Sequence, residues 1–310
     1  MQNDNFYSPA LGNDLEDDFA LRDVACAHKP VPVKRWAVWG IVLLVAVNAI
    51  WVLANNKNFG WSIMFEWLTE VSILHGLSVT LGLSIVAMAL GVVIGLFLAI
   101  ARMSKDILLS SLAGVYIWFF RGTPLLVQLI FWYNMSTLFP RVEIGIPFGP
   151  VLASWNTNDL ITPMTAAIAG LALNEAAYMA EIIRGGLLSV DRGQIEATEA
   201  FGMSRARALL RIILPQAMRA IVPPTGNQFI SLIKATSLVS VIAMADLLYS
   251  VQAVYNRTFE VIPMLNVAVF YYLIITSILN VGQGYIERYY GRGERDSKQV
   301  LPVVANQPSA

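Results

Sequence analysis

The chain has 310 residues, of which 56% are hydrophobic and only 14% charged, with a mean hydropathy of +0.60. That balance excludes an ordinary soluble domain and points to a protein that crosses a membrane several times. Lys and Arg number 21 against 21 Asp and Glu, so the net charge gives no reason to expect a nucleic acid partner. Cys26 is the only cysteine, which rules out an intramolecular disulfide, and with His28 and His75 as the only histidines no metal-ligand cluster is expected.

Residues 1–35 are polar, with Asp14, Glu16, Asp17 and Asp18 clustered and Pro30 and Pro32 near the end. The composition predicts a disordered acidic tail. Six apolar runs follow that suit a ~30 Å hydrocarbon layer: 36–54, 77–101, 124–138 with some upstream turns, 163–183, 225–247 and 264–285. The first is too long and too far from Met1 for a signal peptide. Arg121 and Pro124 interrupt the third. Six spans put both termini on one side. If that side is the cytosol it holds most of the cations, from Lys34 and Arg102 to Arg219 and Arg292, while Lys57, Arg141 and Arg257 remain outside. This asymmetry predicts that both termini are cytosolic. Residues 291–310 then form a cytosolic C-terminal tail.

The second span has Gly91 and Gly95 four apart, a small-residue spacing that lets helices approach closely. Packing within one subunit and contact with another both use it. Pro124 pushes Thr123 out of helical geometry, so residues 108–120 are expected as an amphipathic segment at the cytosolic interface, before the chain turns inward. Prolines and glycines in 141–162 predict an outer loop with turns. The fourth span carries Asn174, Glu175, Tyr178 and Glu181, and the fifth carries Lys234, Thr236 and Ser237. A carboxylate in lipid faces a cavity or a partner. Glu175 and Lys234 therefore suit either a structural pair or the wall of a path for a polar solute.

The segment 189–223 is polar and Arg-rich between apolar runs. Ser189 or Asp191 can cap a helix that Gly202 ends with a left-handed turn. Ser204 can cap a second helix, striped by Leu209, Leu210, Ile212 and Ile213, that Pro215 kinks or ends. Pro223-Pro224 closes the segment before the fifth span. A short helix held clear of the bilayer suits either a groove on another protein or solvent.

The spacing of this segment resembles the coupling motif of ABC-importer permeases. Glu196-Ala197-Thr198, Gly202 and Ile212-Ile213-Leu214-Pro215 stand where that family has Glu-Ala-Ala, Gly and Ile-x-Leu-Pro, with Thr198 departing at the third position. Phe120-Arg121-Gly122-Thr123-Pro124, the run from Ala177 to Gly186, and Lys234-Ala235-Thr236-Ser237-Leu238 are similar to the polar amino acid permeases of the histidine, glutamine, glutamate and arginine type. The resemblance covers residues 72–290. It implies an all-α polytopic membrane protein with the ABC type I importer permease fold: a five-helix core plus one extra N-terminal transmembrane helix, 36–54.

The resemblance also implies a permease subunit in a bacterial inner membrane rather than an enzyme. A second copy or a paralogue would complete it, and an extracytoplasmic amino acid binding protein would deliver the cargo. Glu196, Ala197, Thr198, Gly202, Ser204, Arg205, Leu214 and Pro215 would touch a separate ABC ATPase dimer. The sequence shows no Gly-x4-Gly-Lys-Ser/Thr loop, so no cofactor is expected on this chain; ATP and Mg belong to the partner. An ion-coupled secondary transporter is the alternative, although internal symmetry of the usual kind is not visible. No Ser/His/Asp set supports a membrane enzyme.

Overall fold

The computed structural model describes residues 33–146 and 150–291, and the chain divides into two units between Asn56 and Lys57. The acidic cluster of the N-terminal tail and residues 292–310 lie outside the described residues. Among the described residues of the first unit there is one helix, α1 (Val33–Asn55), with exposed apolar side chains from Trp36 to Leu53. A helix that is apolar all round has the composition of a membrane span.

The second unit begins with a 3-10 turn (Lys57–Phe59) and α2 (Trp61–Trp67), followed by α3 (Val71–Arg102), α4 (Ile107–Gly122) and α5 (Leu125–Tyr133). Short helical turns α6 (Met135–Leu138) and α7 (Thr157–Leu160) flank strands β1 (Arg141–Gly145) and β2 (Val151–Asn156). Then come α8 (Pro163–Leu188), α9 (Arg192–Ala200), α10 (Arg205–Ala208), a π-helical turn (Leu209–Ile213) and α11 (Leu214–Ala235). A 3-10 segment (Thr236–Ile242), α12 (Leu247–Thr258) and α13 (Val261–Tyr290) complete it.

All six apolar runs are helical, but only four are continuous helices: α1, α3, α8 and α13. The third run is the pair α4–α5, bent by 102°, and the fifth is a pair broken between Ile242 and Leu247, bent by 46°. The segment 141–162 holds more order than its turn residues suggest. β1 and β2 pair antiparallel, with Val142 opposite Trp155. Val142, Ile144, Val151 and Trp155 supply the β-branched and aromatic side chains that favour strands.

α8 is the central helix. Thr162 and Thr165 start it with reciprocal side-chain bonds to each other's backbone N–H, 3.2 and 2.8 Å long, and Pro163 occupies its first turn. Its buried face packs on α3 through Gly91 and Gly95, so these glycines serve packing within the subunit. A Cβ at Gly95 would stand 2.7 Å from Met179 Cβ, and one at Gly91 would stand 2.8 Å from Glu175 Cγ. The same core takes in Leu129 of α5, Ala217 and Ile221 of α11, and Val239 of the 3-10 segment. A second core joins Met64, Ile73, Leu247, Val251, Val254, Met264 and Val267.

Each break in a helix is tied down by a side chain from elsewhere. The turn at Thr123-Pro124 frees the Phe120 carbonyl, which accepts from Asn174 Nδ2 at 2.9 Å and from Gln128 Nε2 at 3.0 Å. Gln128 also reaches the Thr123 carbonyl at 3.1 Å and its hydroxyl at 2.7 Å. Pro215 does not end the second cytosolic helix, contrary to the breaker rule. The π turn lies where its ring would crowd the Arg211 carbonyl, and the helix continues. Pro223 and Pro224 likewise lie inside α11, and Gln283 Nε2 of α13 donates to the Pro223 carbonyl at 2.8 Å. The prolines leave the Arg219 and Ala220 carbonyls without their helical donors, so the Gln283 bond ties α13 to α11 and does not replace a lost helical bond.

Because no space exists between α3 and α8, Gly95→Leu should destabilise the detergent-solubilised protein by about 1–3 kcal/mol; a lowered melting temperature checks it. Asn174→Leu leaves the Phe120 carbonyl and the Gln128 amide short of a partner and should cost about 1–3 kcal/mol by the same measurement.

Candidate functional site

The segment after α8 turns sharply. Ser189 is the residue that caps the C-terminal end of α8, its hydroxyl bonded to the Gly186 carbonyl at 2.7 Å, and Asp191 caps α9 by accepting from Gly193 N at 2.8 Å. α9 ends in a paired hydrogen-bond motif: Met203 N donates to the Thr198 carbonyl at 3.0 Å and Gly202 N to the Glu199 carbonyl at 2.9 Å. Gly202 has φ of +63°, the left-handed conformation that a residue with Cβ resists. Ser204 occupies the start of α10 but makes no side-chain cap bond.

This geometry sorts the residues of the segment by exposure. Thr198 is buried, its hydroxyl on the Ile195 carbonyl at 2.7 Å, and it anchors the inner side of α9. Glu196, Ala197, Gly202, Ser204, Arg205 and Pro215 are exposed, and Leu214 is half-buried. Gln216 Nε2 donates to Gln194 Oε1 at 3.3 Å, joining α11 to α9. Phe201 is 85% exposed at the tip of the turn. Helix propensity alone counts Phe201 as one more helical residue and overlooks it as a contact; an aromatic beside a predicted left-handed cap is the signal that could find it. Of the four residues expected to form an apolar stripe, Ile212 and Ile213 are half-buried while Leu209 and Leu210 face outward.

The polar residues of the spans do not form one cluster. Glu175 is 2% exposed, and Gln228 Nε2 of α11 donates to its Oε2 at 3.1 Å, while Oε1 has no hydrogen-bond partner. Asn174, one residue earlier, is turned the other way and committed to the α4–α5 break. Tyr178 lies under the Arg121 guanidinium, 5.3 Å from the ring centroid. Glu181 pairs with Arg184 on its own helix at 2.7 Å.

Lys234 is exposed in the last turn of α11, and among the described residues no ion pair joins it to Glu175 or Glu181. The structural Glu–Lys pair that the sequence allows is therefore not formed, because one carboxylate is held by an amide and the other by an arginine. Thr236 and Ser237 bond backward to the Ile233 and Lys234 carbonyls at 2.7 and 2.8 Å.

In the sequence Gln228 is only one polar residue among several. Its role depends on α11 crossing α8 at Glu175. Asp246 carries no sequence signal that singles it out. It is fully buried at the break before α12, where its Oδ1 accepts from Tyr249 N at 2.9 Å while Thr80 of α3 accepts from Leu247 N at 3.0 Å. Among the described residues no group of His, Cys, Asp and Glu is arranged to hold a metal ion.

Residues 91–291 match the family described as binding-protein-dependent transport system inner membrane component. The chain is 41% identical over 274 residues to an arginine transport system permease protein, ArgU, of Corynebacterium glutamicum, covering 86% of this chain and 84% of the relative. It is 36% identical over 231 residues to the glutamine transport system permease protein GlnP of Escherichia coli, covering 74% of this chain and 97% of GlnP. A crystal structure of an amino acid ABC transporter with histidines superposes with a TM-score of 0.59 at 36% identity, over 70% of this chain and 94% of that one. The inward-facing methionine transporter MetNI shares the fold, with a TM-score of 0.57 at 19% identity. These matches set aside the secondary-transporter alternative: the chain belongs to the family of inner membrane components of binding-protein-dependent transport systems, as an ABC importer permease of the amino acid type.

Proposed function

We propose that this permease moves a polar amino acid, handed over by an extracytoplasmic binding protein, through a path it forms with a second copy or a paralogue. An ATPase dimer carrying ATP and Mg on the cytosolic face drives the cycle. Both termini lie in the cytosol of a bacterial inner membrane, an orientation supported by the Lys/Arg asymmetry of the loops. The observation that carries the reading is the tip of α9. Glu196, Glu199 and Phe201 are exposed on a short helix whose inner side is pinned by buried Thr198 and whose end is fixed by Gly202. An exposed Phe on a rigid projection suits a groove on a partner.

In this mechanism the ATPase dimer closes and draws two α9 helices together. Because α9 joins α8 to α11 through a tight turn on either side, its displacement tilts both helices as rigid bodies. Glu175 stands where α8, α3 and α11 meet. Its Oε1, without a partner, is a natural acceptor for a substrate ammonium or a cationic side chain once the helices separate. Lys234, Thr236 and Ser237 would supply further polar surface along the path, while Asn174 serves the α4–α5 bend and Tyr178 and Glu181 are engaged with the arginines near the end of α8. The arginine permease among the relatives supports a cationic cargo.

Gly202→Val should strain the turn by roughly 1–2 kcal/mol and uncouple uptake from ATP hydrolysis, while Gly202→Asn, which tolerates φ above zero, should keep most of the coupling. Reconstituted uptake beside substrate-stimulated ATPase activity reads both variants. Normal uptake by the valine variant would remove the coupling role. Glu175→Gln should reduce uptake of arginine at least about tenfold relative to glutamine, equivalent to about 1.4 kcal/mol of binding. An unchanged ratio across an amino acid panel would take Glu175 out of the path.

A further inference from the structure

The C-terminal ends of α3 and α8 and one face of α4 enclose a cleft of about 630 Å³ that neither the coupling segment nor the proposed path uses. Arg102, Arg121 and Arg184 line it with a single carboxylate, Glu181. Glu181 is occupied by Arg184 at 2.7 Å, so among the described residues two guanidinium charges remain uncompensated by any carboxylate in the cleft. Both are held in place. Arg102 Nη1 donates to Ser110 Oγ at 2.9 Å, and the Ser110 hydroxyl donates back to the Arg102 carbonyl at 2.9 Å. The guanidinium carbon would lie 3.5 Å from a Cβ at Gly114, so the glycine lets it rest on α4. Arg121 is held over the Tyr178 ring.

We infer that this cleft binds the phosphate of an anionic membrane phospholipid. Guanidinium forks match phosphate oxygens in geometry as well as charge. The surroundings favour a lipid over a soluble anion. Trp118 lines the cleft and is 73% exposed, with Leu112 and Val115 exposed on the same helix. A headgroup site flanked by apolar surface and an amphipathic aromatic is what the edge of a bilayer requires. Such a site requires only that the chain lie in a membrane. It does not depend on α9 docking, so either can fail without the other.

The test uses the full chain in detergent and native mass spectrometry of the first lipid bound. The probes are phosphatidylglycerol, phosphatidylcholine and inorganic phosphate. Wild type should bind phosphatidylglycerol at least about tenfold more tightly than phosphatidylcholine, and Arg102→Gln with Arg121→Gln should weaken phosphatidylglycerol about thirtyfold, given the usual contribution of each arginine near a lipid surface. Equal binding of the two lipids by wild type overturns the proposal without any variant, even if the double variant fails to fold. So does a folded double variant that binds phosphatidylglycerol as wild type does. Displacement of the lipid by millimolar phosphate identifies a soluble-anion site and overturns the lipid source. Unchanged lipid binding with lost association of the ATPase identifies the cleft as a protein contact and overturns it as well.

Discussion

A helix that breaks inside a membrane exposes backbone groups that water cannot reach, and the fold is organised around satisfying them. Phe120 and Thr123 give up backbone partners at the bend between α4 and α5, and amides from Gln128 and Asn174 take their place. Gln283 of α13 ties to the Pro223 carbonyl of α11, and the break before α12 is met by Thr80 of α3. In each case the satisfying group is an uncharged amide or hydroxyl, so the tie costs far less desolvation than a charged one would. These ties also fix where helices cross, because a side chain reaches a carbonyl only over a few ångströms. The glycine contacts of α3 with α8 depend on the same placement.

This arrangement separates residues that look equivalent along the chain. Asn174 and Glu175 are neighbours in sequence, yet one is consumed by the fold and the other keeps an unpartnered oxygen against Gln228. Glu181 and Glu175 are both acidic residues of one helix, yet one joins an arginine cluster at the end of α8 and the other is buried between helices. Residue type alone groups them as one polar wall. The structure separates them into a clasp at the α4–α5 bend, a buried carboxylate facing Gln228 and a basic cleft.

Much of the segment 189–223 is legible in the amino-acid sequence. Gly202, the Asp191 cap and the spacing to Pro215 are local features, and the backbone follows them: a helix starts at Arg192, and a left-handed residue ends it. The prolines at 215 and 223–224 depart from the breaker rule for a physical reason. A π turn makes room for the ring of Pro215, and Pro223 and Pro224 each leave only one carbonyl of α11 without its helical donor, so the helix runs on. The tie from Gln283 comes from 60 positions along the chain, and breaker rules register neither it nor a change of helix type. The hairpin at Arg141–Asn156 is obscured by neighbouring prolines and glycines that dominate a turn-based reading.

The sequence by itself determined the membrane class, the six apolar segments, the Asp191 and Gly202 caps and the spacing that places the chain among importer permeases. All of these depend on composition or on neighbours within about a helical turn. Only the tertiary structure decided which segments bend, which polar side chain answers which broken carbonyl, that Glu175 meets Gln228 instead of Lys234, and that Arg102, Arg121 and Arg184 share one cleft. Those outcomes depend on how α3, α4, α8, α11 and α13 cross. A crossing is set by packing between residues far apart in the chain, such as Asn174 with Phe120, 54 positions away, and Leu247 with Thr80, 167 positions away.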